Sequence, residues 1–315
     1  MMGGDNAPSS HIIGASEFLD QNNVDVQLYL VGKKDIIQKK LELFPKIKSE
    51  NFTIVDASDI INSDDRPSRI LKDKPNSSMV KAIDLLKDSR VDVVVSAGNT
   101  GCLLAASFFR LGTIKNIKRP ALVAFIPSEN GNFLICDVGA NSSAKPIQLL
   151  QFSKMASIYI HNQLNILKPK IALLNIGAEE NKGNELAKES YELMKNQLQG
   201  FIGNIESRYL FDGKADIIVC DGFTGNIVLK LIEGMANYNL SLISKKLNLD
   251  DNKQIENIKK IYNYEEYGAT PILGIKGLVL KCHGSSSGLS ITNALKTAQK
   301  LHEVDLINKL RASSL

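Results

Sequence analysis

Short apolar runs, most of them β-branched and apolar on both faces, alternate along this chain with segments of helical period. Val26–Val31, Phe52–Val55, Val91–Val95, Leu122–Ile126, Phe133–Asp137, Ile171–Asn175 and Ile217–Cys220 read as buried parallel strands. Ser10–Asp20, Lys33–Phe44, Ser78–Asp88, Gly101–Leu111, Pro146–His161, Asn184–Leu198 and Thr224–Ser244 read as the helices between them. This order predicts an α/β fold around a mostly parallel sheet. With 315 residues the chain can bury a large core, or form two domains sharing a cleft.

Ligands of parallel sheets bind beyond the carboxyl ends of the strands. Four turns there share one makeup: Ser96-Ala97-Gly98-Asn99-Thr100-Gly101, Asp137-Val138-Gly139-Ala140-Asn141, Asn175-Ile176-Gly177 with Glu179, Glu180, Lys182 and Gly183 beyond, and Asp221-Gly222-Phe223-Thr224-Gly225-Asn226. Glycine lets backbone approach a ligand, and the N–H groups opening the next helix face an anion. The plainer reading of each turn is helix capping. Four in one chain point to a polar, anion-binding cleft. His283-Gly284-Ser285-Ser286-Ser287-Gly288 adds hydroxyl and N–H donors, or simply caps the last helix.

Neither GxxxxGK[ST] nor GxGxxG occurs, so P-loop and dinucleotide readings have no support. The four histidines lack metal-ligand spacing, and no metal or other cofactor is expected. The net charge of +4 is too mild, and its basic residues too dispersed, for a nucleic-acid binder. Cys102, Cys136, Cys220 and Cys282 sit in or beside apolar runs without a CxxC pair, as buried thiols of a reducing compartment do. Residues 1–8 show no signal-peptide pattern, and no apolar stretch reaches spanning length, so a cytoplasmic protein with at most peripheral membrane contact is expected.

Met2-Gly3-Gly4-Asp5-Asn6-Ala7-Pro8, Asn76 through Ser78-Met79, and Val94 through Gly101 begin a series of segments in a recognisable order. Asp137 through Asn141, Leu174 through Gly177 with Glu180 and Lys182-Gly183, Phe201 through Asn204, Cys220 through Asn226 and His283 through Ser286 continue it. With these segments the chain resembles the bacterial phosphate acyltransferases, the acyl-acyl-carrier-protein:phosphate transacylases of phospholipid synthesis. The resemblance implies a three-layer α/β/α sandwich like the isocitrate and isopropylmalate dehydrogenases and the phosphotransacetylases, with two lobes around a cleft. It also implies a homodimer, an acyl carrier protein and orthophosphate as partners, and handover of acyl phosphate to a membrane glycerol-3-phosphate acyltransferase. Two departures stand out. The family's strand ending in Asp precedes Met-Gly-Gly-Asp, whereas this sequence opens at Met1-Met2, which sets the expectation of an upstream start or a less stable protein. Ser287-Gly288-Leu289 also replaces a more polar continuation.

A thioester is already activated and phosphate is largely dianionic, so such an enzyme must align two partners and stabilise an oxyanion. Lys182, a cation soon after a strand end, is the first candidate; as a mere surface lysine it would face an unfavourable helix dipole. Asn226 is the second, as an amide donor to phosphate or to the thioester carbonyl. Ser96, Gly98, Asn99, Thr100, Gly101, Asn141, Gly177, Thr224, Gly225, His283, Ser285 and Ser286 are the expected phosphate- and substrate-binding set. Lys115, Lys118 and Arg119, with Lys245, Lys246, Lys259 and Lys260, are basic clusters that could dock an acidic carrier.

Three other readings remain open: a phosphotransacetylase-type enzyme using short acyl-coenzyme A, a metal-dependent dehydrogenase of the same architecture, and a non-catalytic carrier-protein or membrane adaptor. Residues 1–140 with 285–315 are expected to form one lobe and 141–284 the other, with a helical segment at 235–263 facing a dimer partner or a membrane. Leu240, Ile243 and Leu247 fall on one helical stripe beside Lys245 and Lys246, and Ile255, Ile258 and Ile261 repeat the pattern in a second helix, Lys253–Tyr262.

Overall fold

A computed structural model describes residues 1–21, 26–44, 49–247 and 268–313. The chain divides into two compact units: unit 1 is Met1–Ile114 with Glu265–Ile307, and unit 2 is Lys115–Tyr264 with Asn308–Leu315. The sequence reading placed these divisions at 140/141 and 284/285. The earlier division has a simple cause: Phe125, Phe133 and Ile135 belong to a hairpin that pairs with the later strands of unit 2.

Unit 1 holds α1 (Ser9–Gln21), β1 (Leu28–Gly32), α2 (Lys34–Leu41), β2 (Phe52–Asp56), α3 (Ile70–Asp73), α4 (Ser78–Lys87), β3 (Val93–Ser96) and α5 (Thr100–Leu111). β1 and β2 pair in parallel with Leu30 opposite Ile54. Unit 2 follows with β4 (Ala121–Ser128), β5 (Gly131–Cys136), α6 (Pro146–Leu164), β6 (Ile171–Asn175), α7 (Glu185–Gln197), β7 (Phe201–Glu206), β8 (Ile217–Val219) and α8 (Gly222–Leu247). β4 and β5 form an antiparallel hairpin; β5, β8, β6 and β7 then run parallel in that spatial order. The chain returns to unit 1 with β9 (Ala269–Leu273), β10 (Leu278–Cys282) and α9 (Gly288–Glu303). β10 pairs in parallel with β3 and antiparallel with β9.

The fold is thus mixed α/β, and the central strands are buried on both faces as their composition predicts. Phe133, Leu134, Ile135, Ile217, Ile218 and Val219 are fully enclosed, with Phe152, Met155 and Tyr159 of α6 packed into the same interior. In unit 1, α1 and α9 cross closely because each carries a glycine at the crossing. A Cβ at Gly14 would stand 2.6 Å from the Gly288 carbonyl, and one at Gly288 would overlap Ile13. The Thr292 hydroxyl closes the contact by donating to Glu17 at 2.9 Å.

Three strands depart from the sequence reading. β7 was quoted only as a motif; it is mostly half-buried and carries Gly203 and Asn204, so it lacks the continuous apolar run of a central strand. β9 contains Pro271, which cannot donate to a ladder and disguises the strand. The run Leu278–Leu280 is the body of β10. The second amphipathic helix, Lys253–Tyr262, lies outside the described residues. No helix among the described residues is long and apolar enough to cross a membrane.

Candidate functional site

The turn after β6 is organised by Asn175, the last residue of that strand. Ile176 donates its N–H to Asn175 Oδ1 at 2.8 Å, and Asn175 Nδ2 donates to the Lys182 carbonyl at 3.1 Å. The Lys182 N–H donates to the Glu179 carbonyl at 3.2 Å, so both backbone groups of Lys182 are fixed. Gly177 makes room for the lysine stem, since a Cβ there would stand 2.9 Å from Lys182 Cγ. Gly183 follows at φ +89°, with Asn175 Oδ1 filling the space a Cβ would need. The Lys182 ammonium is exposed and has no ion pair or hydrogen bond among the described residues. Nearby Lys195 differs: it pairs with Glu180 at 2.8 Å, and the Tyr191 hydroxyl donates to the same carboxylate at 3.0 Å. Those two contacts, Lys195 first, hold the Glu180 carboxyl below its ordinary range.

The second cluster lies at the ends of β5 and β8. Asp137 is fully buried and accepts five hydrogen bonds. Its Oδ1 receives the N–H groups of Leu122 (3.0 Å), Gly139 (3.2 Å) and Ala140 (3.0 Å). Its Oδ2 receives the Asn141 N–H and the Asn141 Nδ2, both at 2.8 Å. Burial pushes the Asp137 carboxyl up, while these donors, Ala140 foremost, oppose the shift. The neighbouring thiols of Cys136 and Cys220 are raised as well, chiefly by burial. The first turn of α8 packs on this group: the Gly222 N–H donates to the Asn141 carbonyl at 2.9 Å, and a Cβ at Gly225 would overlap the Asp137 carbonyl oxygen. Asp221 caps the helix, accepting the N–H and the hydroxyl of Thr224, each at 2.9 Å. Asn226 is exposed, leans over Gly139 (φ +130°), and its side chain has no hydrogen bond among the described residues.

Unit 1 brings three predicted segments together. A Cβ at Gly3 would stand 2.7 Å from Gly98 Cα, and the Asp5 N–H donates to the Gly284 carbonyl at 2.8 Å. Asn6 Nδ2 donates to the Ser285 carbonyl at 3.1 Å. Ser96 Oγ accepts the Gly98 N–H at 3.2 Å, and Gly101 lies close against Pro67. His283 Nδ1 and Ser285 Oγ are 2.8 Å apart. Ser286 Oγ is buried without a partner among the described residues, and Thr100 is exposed at the start of α5.

The expected donors therefore fall into two groups. Asn141 spends both amide protons, on Asp137 and on the Pro120 carbonyl at 2.8 Å, which leaves none for a ligand. Asn99 caps α5 by accepting the Cys102 N–H at 3.0 Å, and its amide donates to the Ser63 and Asn62 carbonyls. Thr224 gives its hydroxyl proton to the cap Asp221. In this structure these three side chains make capping and turn contacts. Lys182 and Asn226 keep exposed, uncommitted donors; they follow β6 and β8, which are paired neighbours. Asp137 carries the second cluster yet entered the sequence reading only as a strand end and the first residue of a turn, not as a site residue. Its signal was an Asp closing a buried strand just before a glycine turn and an Asn. No group of three His, Cys, Asp or Glu among the described residues could hold a metal ion.

A cavity of about 640 Å³ in unit 1 lies along β1 and β3, touching Ser96 and Gly98 at one end. Among the described residues, β1 pairs only with β2 and β3 only with β10, so much of its wall is strand edge.

The fold is that of the phosphotransacylases. A branched-chain phosphotransacylase from Enterococcus faecalis V583 is similar with TM-score 0.58 at 18% identity, over 95% of this chain and 96% of that one. A phosphotransacetylase from Streptococcus pyogenes follows with TM-score 0.54 at 15% identity, over 93% and 98%. Sequence similarity is closer. The phosphate acyltransferase of Caldicellulosiruptor saccharolyticus is 43% identical over 98% of this chain and 95% of its own length. That of Dictyoglomus thermophilum is 43% identical over 98% and 94%. The family model described as "Fatty acid synthesis protein" matches residues 1–309, and the chain belongs to this family.

Proposed function

We propose that this enzyme transfers a fatty acyl group from acyl-[acyl-carrier-protein] to orthophosphate, giving acyl phosphate and holo-carrier protein. The observation that carries the reading is Lys182: a cation fixed at both backbone groups, laid over Gly177 and committed to no carboxylate among the described residues. A phosphate oxygen attacks the thioester carbonyl, the carbonyl oxygen becomes an oxyanion, and collapse expels the carrier thiolate. The ammonium of Lys182 draws in the phosphate dianion and stabilises the developing charge. The Asn226 amide donates to phosphate or to the oxyanion. In unit 1, Thr100, Ser285, Ser286 and the N–H groups opening α5 and α9 serve substrate binding. The phosphotransacylase likeness supports a three-layer, dehydrogenase-like reading of the fold. It also keeps a short acyl-coenzyme A in view as donor. Purified protein incubated with phosphate and palmitoyl carrier protein should release holo-carrier and give hydroxylamine-trappable acyl phosphate. Turnover with short acyl-coenzyme A alone would replace the carrier reading.

Asn226 gives a second test. Changing Asn226 to Ala should lower the rate without shifting Tm, because its side chain supports no other group. Changing it to Asp should lower the rate further, since a carboxylate would face an anion. An Asp variant faster than the Ala variant would show that no anion binds there.

The partners belong to the same proposal: a second copy of the chain, and a membrane glycerol-3-phosphate acyltransferase as recipient. Along α8, Phe223, Ile227, Leu231, Met235, Tyr238 and Leu242 are all exposed. Their spacing of four, four, four, three and four makes one apolar stripe about 28 Å long. A second copy laying the same stripe against it would bury both. Of the stripe read as facing a membrane or a dimer partner, Leu240 is buried and Ile243 exposed. Leu231→Glu is therefore expected to turn a dimer into monomers in sedimentation velocity. Should the wild type sediment as a monomer and bind anionic vesicles through this stripe, the occupant is the membrane instead.

A further inference from the structure

The two surfaces that hold Asn226 share one support, and it is not a residue that meets substrate. The side chain of Asn226 rests against Gly139: a Cβ at that glycine would stand 3.6 Å from Asn226 Cγ and 3.7 Å from its Oδ1. Gly139 adopts φ +130° and is held there by donating its N–H to Asp137 Oδ1 at 3.2 Å. The helical turn that carries Asn226 also lies on Asp137. A Cβ at Gly222 would stand 2.6 Å from Asp137 Oδ2, and one at Gly225 would overlap the Asp137 carbonyl oxygen. We propose that Asp137 is a positioning residue of the acyl transfer, a buried carboxylate that sets the Gly139–Asn141 turn and the first turn of α8 in register and so fixes where the Asn226 amide points. This rests on the role proposed above for Asn226.

The chemistry explains why this position takes a carboxylate. All five hydrogen bonds at the two oxygens are accepted, three at Oδ1 and two at Oδ2. An ionised carboxylate is acceptor-only and suits five inward-pointing N–H groups. An asparagine has the same shape, but its NH₂ must face either the three donors at Oδ1 or the two at Oδ2. The turn must then shift, and with it the floor under Asn226. Burying a charge is costly, and burial does push this carboxyl up. A neutral side chain would avoid that cost if filling space were the whole task.

The test is a double-mutant cycle on kcat, with circular dichroism and Tm on every variant. Asp137→Asn should lower kcat about tenfold or more in the wild-type background, but add little in the Asn226→Ala background, because the residue it positions is gone. In the Lys182→Ala background its effect should remain. A purely structural Asp137 predicts the same proportional loss in all three backgrounds, and that result overturns the proposal; so does a folded Asp137→Asn enzyme with wild-type kcat. Should Asp137→Asn fail to fold, Gly139→Ala decides. It disturbs the same floor from an exposed loop, and should lower kcat only while Asn226 is present. If Asn226→Ala itself has wild-type kcat, the parent assignment falls together with this one. An impaired Asn226→Ala with additive Asp137→Asn overturns the positioning role alone.

Discussion

Replacing Lys182 with alanine is expected to lower turnover about 10²-fold or more at saturating phosphate, the scale of losing a main electrostatic stabiliser of the transition state. The fold should survive, for reasons visible around the residue. The two bonds that hold Lys182 in the turn, from Asn175 Nδ2 and to the Glu179 carbonyl, use its backbone and persist in the variant. The lost stem lies over Gly177 on an exposed loop, and the ammonium has no partner among the described residues to leave stranded. Surface substitutions of this kind change stability by about 0.5 kcal/mol or less. Rate and stability thus separate. The same protein should show an unchanged Tm and a collapsed kcat. Lys195→Ala is the matched control, since it removes a neighbouring cation already paired with Glu180, and its turnover should stay near wild type. Near-normal turnover in Lys182→Ala would remove this residue from the chemistry.

How far the sequence could be read depended on what each residue's role required. Strand and helix order was legible because the central strands are enclosed on both faces. Ile171–Asn175, read as a strand from its apolar run, has those same limits in the structure. β9 was hidden by Pro271, and β7 by Gly203 and Asn204, which interrupt its apolar run. The glycine turns were legible as turns, but their donors could not be sorted. In sequence, Asn141 and Asn226 look alike: each closes a turn that begins with Asp and holds a glycine. Only packing shows that Asn141 is buried with both amide protons spent, while Asn226 is exposed with both in hand. Asp137 illustrates the same limit in reverse. Its carboxylate lies at a strand end, where a ligand-binding acid would also lie. Its five donors come from positions 122, 139, 140 and 141, a convergence that exists only after the β4–β5 hairpin has formed.

Two glycines of α8 should respond in opposite directions to the same substitution. Gly225 sits in the first turn, where a Cβ would overlap the Asp137 carbonyl oxygen and stand 2.9 Å from Cys220 Sγ. Neither neighbour can yield cheaply. The carbonyl is backbone, in the residue whose carboxylate holds the Gly139–Asn141 turn, and Cys220 is buried. The helix start must lift away from β5 and β8. Overpacking typically costs about 1–3 kcal/mol, and a backbone obstacle puts this one at the upper end, about 3 kcal/mol. For a unit of this size that corresponds to a fall in Tm of roughly 6–12 °C. Activity should fall with it, because Asn226 is the next residue on the displaced turn. Gly234 lies in the same helix, exposed, and a Cβ there meets nothing within 4 Å. Here alanine only removes the entropy cost of a glycine in a helix interior, so Gly234→Ala should stabilise by about 0.5–1 kcal/mol. Calorimetry of the two variants beside the wild type checks both signs at once. A Gly225→Ala protein that melts with the wild type would mean that α8 does not seat on Asp137, and the register assigned to Asn226 would fall with it.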